Sequence, residues 1–135
     1  MNVAREVARL VQQRAGNRCE YCRMHQALQG ATFHVEHILP RSQGGHSIPD
    51  NLAWACPSCN LHKSDRIAAA NPLTGSEVLL FNPRRDDWAE HFAIDGFQIV
   101  GLTDIGRATL TTLEFNGACR VQIRKAEAVF KLFPP

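Results

Sequence analysis

No stretch of the 135 residues is apolar for long enough to cross a bilayer, which takes about 20 consecutive apolar residues. The first ten residues set Arg5, Glu6 and Arg9 among Val and Ala where a secretion signal would have an unbroken apolar core. A cytoplasmic protein with no membrane partner is therefore expected. Charge of one sign is scarce too: the net is only +2, which does not by itself imply a polyanionic partner. Internal repeats and low-complexity linkers are missing, and with 44% hydrophobic residues the chain does not have the composition of a disordered one. The length fits one compact domain of about 100–150 residues.

The small basic surplus is unevenly placed. Residues 1–70 carry 8 Lys/Arg against 5 Asp/Glu, and residues 71–135 carry 7 against 8. Cysteine is also sparing, at five residues, but four of them form two Cys-x-x-Cys pairs, Cys19/Cys22 and Cys56/Cys59. In a chain of intracellular character this pattern favours metal binding over disulfides. Each tight knuckle offers two sulfurs, and two knuckles complete the closed tetrahedral shell of a structural Zn²⁺. The 33 residues between the pairs exceed the roughly 15–20 of a compact zinc finger, so the gap houses something further. Cys119 stands alone in a helical segment and is expected to be a small buried hydrophobe.

Local patterns give the order of elements. Asn2 can cap a helix in which Val3, Val7, Leu10 and Val11 share a face while Arg5, Arg9 and Gln13 point away, and Gly16-Asn17 stops it. Residues 32–38 read as a strand with Phe33 and Val35 inward, residues 40–50 as a loop, and residues 52–55 as a second strand. The second knuckle opens a helix predicted to run to Ala70 and to end at Asn71-Pro72. Strands follow at residues 77–81 and 92–101, the latter folded at Asp95-Gly96, and two helices over residues 104–115 and 118–132 complete the chain.

Inside the gap lies Val35-Glu-His-Ile-Leu-Pro-Arg-Ser-Gln-Gly-Gly45, followed by Asp50-Asn-Leu52 and then Cys59-Asn-Leu-His-Lys63. Phosphodiester hydrolysis needs an activated water, charge stabilisation at phosphorus and help for the leaving oxygen. A hard divalent cation and an imidazole together meet those needs. Glu36 offers an anionic oxygen and Asn60 a carbonyl oxygen for such a metal, and His37 has the proton affinity of a general base near neutral pH.

In this order and spacing the block resembles the HNH endonuclease superfamily, in the variety whose motif is flanked by two zinc knuckles. The resemblance covers roughly residues 17–66. It implies an α+β protein with a ββα-metal core braced by a four-cysteine zinc site. Residues 1–70 are then expected to form the nuclease core, and the element order makes residues 71–135 an extension of strand hairpin and helices packed on it. The resemblance also implies a DNA substrate, His37 as base, Asn51 orienting that histidine by hydrogen bonding, and Glu36 with Asn60 holding the catalytic metal.

Glu36 stands where many members carry Asp, and the motif closes on Asn60 instead of His. Oxygen ligands favour Mg²⁺ or Mn²⁺. Lys63, one helical turn from Asn60, is expected to meet a substrate phosphate, with Arg18, Arg23, Arg41 and Arg66 as further backbone contacts. His34 shares a strand face with Glu36, His62 faces backbone or DNA, and residues 42–45 form a mobile loop that admits the strand. A non-catalytic zinc-dependent nucleic-acid-binding module and a structural zinc ribbon remain open as alternatives.

Overall fold

The computed structural model describes residues 3–135, so the expected cap at Asn2 lies outside the described residues. Helix α1 spans Arg5–Arg14. Val11 is fully buried from it and Val3 and Val7 pack on the core, but Leu10, expected inward, is exposed. Gly16 and Asn17 both adopt positive φ (64° and 62°) and end the helix, as their tolerance of left-handed backbone allows. The first knuckle follows immediately.

Strand β1, His34–His37, pairs antiparallel with β2, Leu52–Ala55, in the register His34 to Ala55 and His37 to Leu52. Phe33 is buried with its ring centroid 6.3 Å from that of Trp54. Helix α2 then spans only Pro57–Lys63, the ββα order of the core. It stops well short of Ala70 because Ser64 takes positive φ (51°), and the apolar Ala68–Ala70 becomes strand β3, paired with β4 at Glu77–Leu79. This hairpin straddles residue 70. Short helix α3 (Trp88–His91), unforeseen in the sequence, leads into β5 (Phe92–Asp95) and β6 (Gln98–Gly101). Asp95 pairs with Gln98, so the hairpin closes through Gly96 and Phe97, one residue beyond the expected pair. Helices α4 (Asp104–Thr112) and α5 (Ala118–Val129) complete the chain. No helix is long and apolar enough to cross a membrane.

One hydrophobic cluster unites the two halves. Edge-on or tilted aromatic rings run from Tyr21 to Phe81 (6.5 Å), Phe81 to Phe92 (5.5 Å) and Phe92 to Phe115 (5.4 Å), contacts worth about 0.5–1.5 kcal/mol each beyond area burial. Trp88 Nε1 donates to Tyr21 O (2.7 Å), and Arg84 pairs with Glu20.

Helix α5 departs from ordinary amphipathic design. Arg120, Arg124 and Glu127, at helical spacing, are its buried residues, and Cys119 on the other side is exposed, which corrects the expectation of a buried thiol. The arginines stay inside because they satisfy carbonyls. Arg120 Nη1 donates to Leu113 O (2.7 Å) and Arg124 Nη2 to Phe115 O (2.5 Å), both just past the C-terminus of α4, where carbonyls lack intrahelical partners.

Candidate functional site

The two knuckles bring Cys19, Cys22, Cys56 and Cys59 together, all buried, with their four sulfurs within 4.8 Å of one another. Each knuckle is folded by its own backbone. Cys22 N–H donates to Cys19 Sγ (3.5 Å) and Cys59 N–H to Cys56 Sγ (3.4 Å), so the first sulfur of each pair is already polarised by an amide. Cys22 Sγ lies 3.8 Å from Cys56 Sγ, close to the edge of about 3.8 Å that a tetrahedron with Zn–S bonds of about 2.3 Å requires. Donor type, number and spacing thus fit a structural zinc ion. Around this centre, Glu20 of the first knuckle exchanges two hydrogen bonds with Trp54 of β2, N–H to O and Oε2 from N–H, each 2.8 Å. The four-cysteine cluster is thereby fixed to the strand opposite β1.

Beside the cluster, β1 and the second half of α2 border a cleft of about 430 Å³ lined by His34, Glu36, His37, Arg41, Asn60 and Asp65, among others. Asn60 reaches it because its backbone N–H is bonded to Cys56 O (2.9 Å), which ties its position to the second knuckle. Among the described residues its carboxamide makes no hydrogen bond, leaving the carbonyl oxygen free for a ligand.

Glu36 is 5% exposed. Tyr21 Oη donates to its Oε1 (2.5 Å) and Lys63 Nζ to its Oε2 (3.1 Å). Burial pushes the Glu36 carboxyl above its ordinary range, with Lys63 and Tyr21 opposing. Burial and the Glu36 charge also hold the Tyr21 phenol well above its usual range, so it remains a donor. A carboxylate has about four lone-pair positions, and these two bonds take two. The remainder stay open as acceptors, and Glu36 lines the same cleft as Asn60.

Lys63 departs from expectation. It turns inward instead of meeting a phosphate, is 2% exposed, and gives its ammonium to Glu36, to Ile38 O (3.0 Å) and to His37 O (3.4 Å). All three of its donors are used. The cause is the buried carboxylate, which would be costly without a counter-charge. Glu36→Ala is accordingly expected to lose about 3–5 kcal/mol of stability by stranding the Lys63 ammonium, whereas Glu36→Gln combined with Lys63→Met, which removes both buried charges together, should lose much less. Urea unfolding of the two variants measures the difference, and equal midpoints would deny the pair its structural weight.

His37 is half-buried on β1, with Nε2 2.8 Å from Ser47 Oγ. Burial lowers its pKa from the ordinary 6.5, and the positive charges of Arg41 and Lys63 lower it further. The ring is therefore neutral at neutral pH.

Asn51 acts on backbone, not on the imidazole. Its Oδ1 accepts from Leu39 N–H (2.9 Å), its Nδ2 donates to Leu39 O and His46 O (3.0 Å each), and Ile38 N–H donates to its carbonyl (2.9 Å). In place of the expected hydrogen bonding that orients His37, Asn51 clamps the strand end and loop that carry it. Residues 42–45 are correspondingly braced. Gly45 N–H donates to Pro40 O (2.9 Å), and a Cβ on Gly45 would fall 1.7 Å from Leu39 O, so the close approach requires glycine.

Of the expected phosphate contacts, Arg41 and Arg66 are exposed and Arg41 lines the cleft. Arg18 is committed internally, to Arg23 O (2.9 Å) and Leu132 O (2.5 Å), and Arg23 stacks 5.4 Å over the Trp88 ring. His34 is exposed at the cleft, and His62 bridges Ser58 O (2.7 Å) and Glu114 (2.7 Å), the backbone-facing alternative with an added carboxylate. Tyr21, Ser47 and Arg120 were not foreseen. Only Tyr21 carried a sequence signal, a phenol held between two cysteine ligands.

A family described as HNH endonuclease matches residues 19–66. Neither the curated proteins nor the solved structures yield a match. The matched span opens on the first zinc-knuckle cysteine, contains the Glu36-His37 strand, the Asn51 clamp and the Asn60 helix, and closes just past α2. Over residues 19–66 this chain is similar to the HNH endonuclease family.

Proposed function

We propose that this protein is a metal-dependent endonuclease that hydrolyses DNA phosphodiester bonds, with residues 1–70 as the catalytic unit and residues 71–135 as an extension that braces it. The observation that carries this reading is the convergence of Glu36, His37 and Asn60 on one cleft beside a four-cysteine metal cluster. Glu36 and Asn60 would hold one Mg²⁺ or Mn²⁺, cations that commonly take one or two protein oxygens and complete their shell with water and phosphate. Such an ion supplies charge stabilisation at the scissile phosphate and the leaving oxygen.

The chain's own residues do the rest. His37, neutral because burial and neighbouring cations lower its pKa, accepts the proton of the attacking water as the new P–O bond forms. Ser47 holds the ring through Nε2, and Asn51 fixes the backbone on which it sits. Tyr21 and Lys63 orient the Glu36 carboxylate from beneath. Arg41, and Arg66 farther out, offer guanidinium groups to backbone phosphates. Because Lys63 neutralises Glu36, an arriving cation meets little net negative charge until the DNA phosphate supplies it.

The same pairing favours a second reading, a zinc-dependent nucleic-acid-binding module in which Glu36 and Lys63 serve only the core. Supercoiled plasmid incubated with the pure full-length protein and Mg²⁺ or Mn²⁺ separates the two. Metal-stimulated conversion to nicked or linear product is the expected result. Retarded but intact plasmid at every metal concentration would establish the binding module instead.

A further inference from the structure

We infer that Arg120 is an outer-sphere component of the zinc centre: a buried cation, brought by the C-terminal helix, that neutralises the cysteine thiolates and makes residues beyond the HNH segment part of the metal site. The inference rests on zinc occupying the four-cysteine cluster and is independent of catalysis. Arg120 is 5% exposed. Its Nη2 donates to Cys59 Sγ (3.1 Å) and Cys56 Sγ (3.5 Å), and its Nη1 to Leu113 O (2.7 Å) and Glu114 O (3.2 Å).

Among the described residues no carboxylate pairs with Arg120, since the acidic partners in the ion pairs go to His62, Lys63, Arg84, Arg85 and Arg107. A guanidinium cannot shed its proton, and a buried charge without compensation is expensive. The sulfurs are the anions within its reach. Four thiolates around Zn²⁺ carry a net double negative charge, which a buried cation offsets directly, and the N–H···S bonds draw electron density from Cys56 and Cys59. The planar fork of arginine suits this task, because one nitrogen faces the sulfurs while the other grips carbonyls past the end of α4. Arg124, one turn along, is the contrasting case: its bonds go to Phe97 O, Phe115 O and Asn116 Oδ1, all oxygens.

Full-length Arg120→Met, Arg120→Lys and Arg124→Met proteins provide the test, with two readouts. Competition for zinc with a chromophoric chelator gives relative affinity. Replacement of zinc by Co²⁺ gives the sulfur-to-cobalt charge-transfer band, which reports on the sulfurs and not on global stability. Removal of an outer-sphere partner typically costs about 10–100-fold in metal affinity, and that loss is expected for Arg120→Met. Its cobalt band should move to longer wavelength, because sulfur lone pairs relieved of a cationic donor give up charge more easily. Arg120→Lys, which keeps the cation but not the fork, should move the band in the same direction by less. Arg124→Met should leave it where it is. A wild-type band and affinity in folded Arg120→Met would overturn the inference, as would an equal shift in Arg124→Met. Should Arg120→Met fail to fold, an unmoved band in Arg120→Lys overturns it.

Discussion

Cys56→Ser protein is expected to accumulate as unfolded or insoluble chain, and the wild type to contain about one zinc per chain. Cys56 carries more of the fold than a single ligand normally would. Its Sγ accepts from Cys59 N–H at the start of α2, lies 3.8 Å from Cys22 of the other knuckle, and receives a donor from Arg120. Its carbonyl holds Asn60 in place. Structural zinc contributes on the order of 10–16 kcal/mol of apparent binding energy, as much as or more than the roughly 5–15 kcal/mol that separates a folded domain from its unfolded chain. With one thiolate gone, the remaining three and the Arg120 guanidinium would be buried without proper compensation, so the loss does not stop at the ligand. Elemental analysis and circular dichroism of the two proteins, with a chelator titration of the wild type, make the measurement. A fully folded, zinc-free wild-type preparation would contradict the assignment.

The elements that sequence periodicity defines well are those closed by local chemistry. Strand β2 falls at Leu52–Ala55 as expected because Asn51 and Cys56 bracket it with a turn and a knuckle, and the doubled Cys-x-x-Cys locates the metal cluster because ligand geometry is nearly independent of the rest of the fold. What stayed hidden depends on long-range charge. Nothing near Lys63 in the sequence marks it as buried. Its destination is Glu36, 27 positions away, and it read as a phosphate contact because a lysine usually is solvated. Helix α5 misled for the same reason: a stripe of Arg120, Arg124 and Glu127 looks like an outer face, yet the carbonyls past α4 and the thiolates draw it inward, leaving Cys119 outside. The early end of α2 is of another kind. Residues 64–70 have acceptable helix propensity, but pairing of Ala68–Ala70 with Glu77–Leu79 outweighs it.

His37→Ala is expected to cleave DNA about 10²–10⁴-fold more slowly than wild type, the contribution of a positioned general base, while keeping zinc, fold and DNA affinity. A bound cation and the Arg41 guanidinium can stabilise charge on the phosphate, but neither takes the proton from the attacking water. An ammonium has no lone pair to offer, and a guanidinium accepts no hydrogen bond. The pH profile follows from the same assignment. His37 has its pKa lowered by burial and by Arg41 and Lys63, so the imidazole is neutral and competent above that lowered value and is lost as a base when pH falls through it. The acid limb of the wild-type rate should therefore have its midpoint below the ordinary histidine value of 6.5. The variant, lacking the titrating group, should lose that limb and leave a shallow profile. Single-turnover rates across about pH 5–8 at saturating metal measure both effects together. Glu36→Gln in the same series separates the roles. It removes the carboxylate charge on which metal binding depends but leaves the imidazole, so its rate should respond to added Mn²⁺ while that of His37→Ala does not. If His37→Ala retains both its rate within a few-fold and the acid limb, the base is another group, and the cleft would have to be reassigned around His34 and Asp65, which also line it.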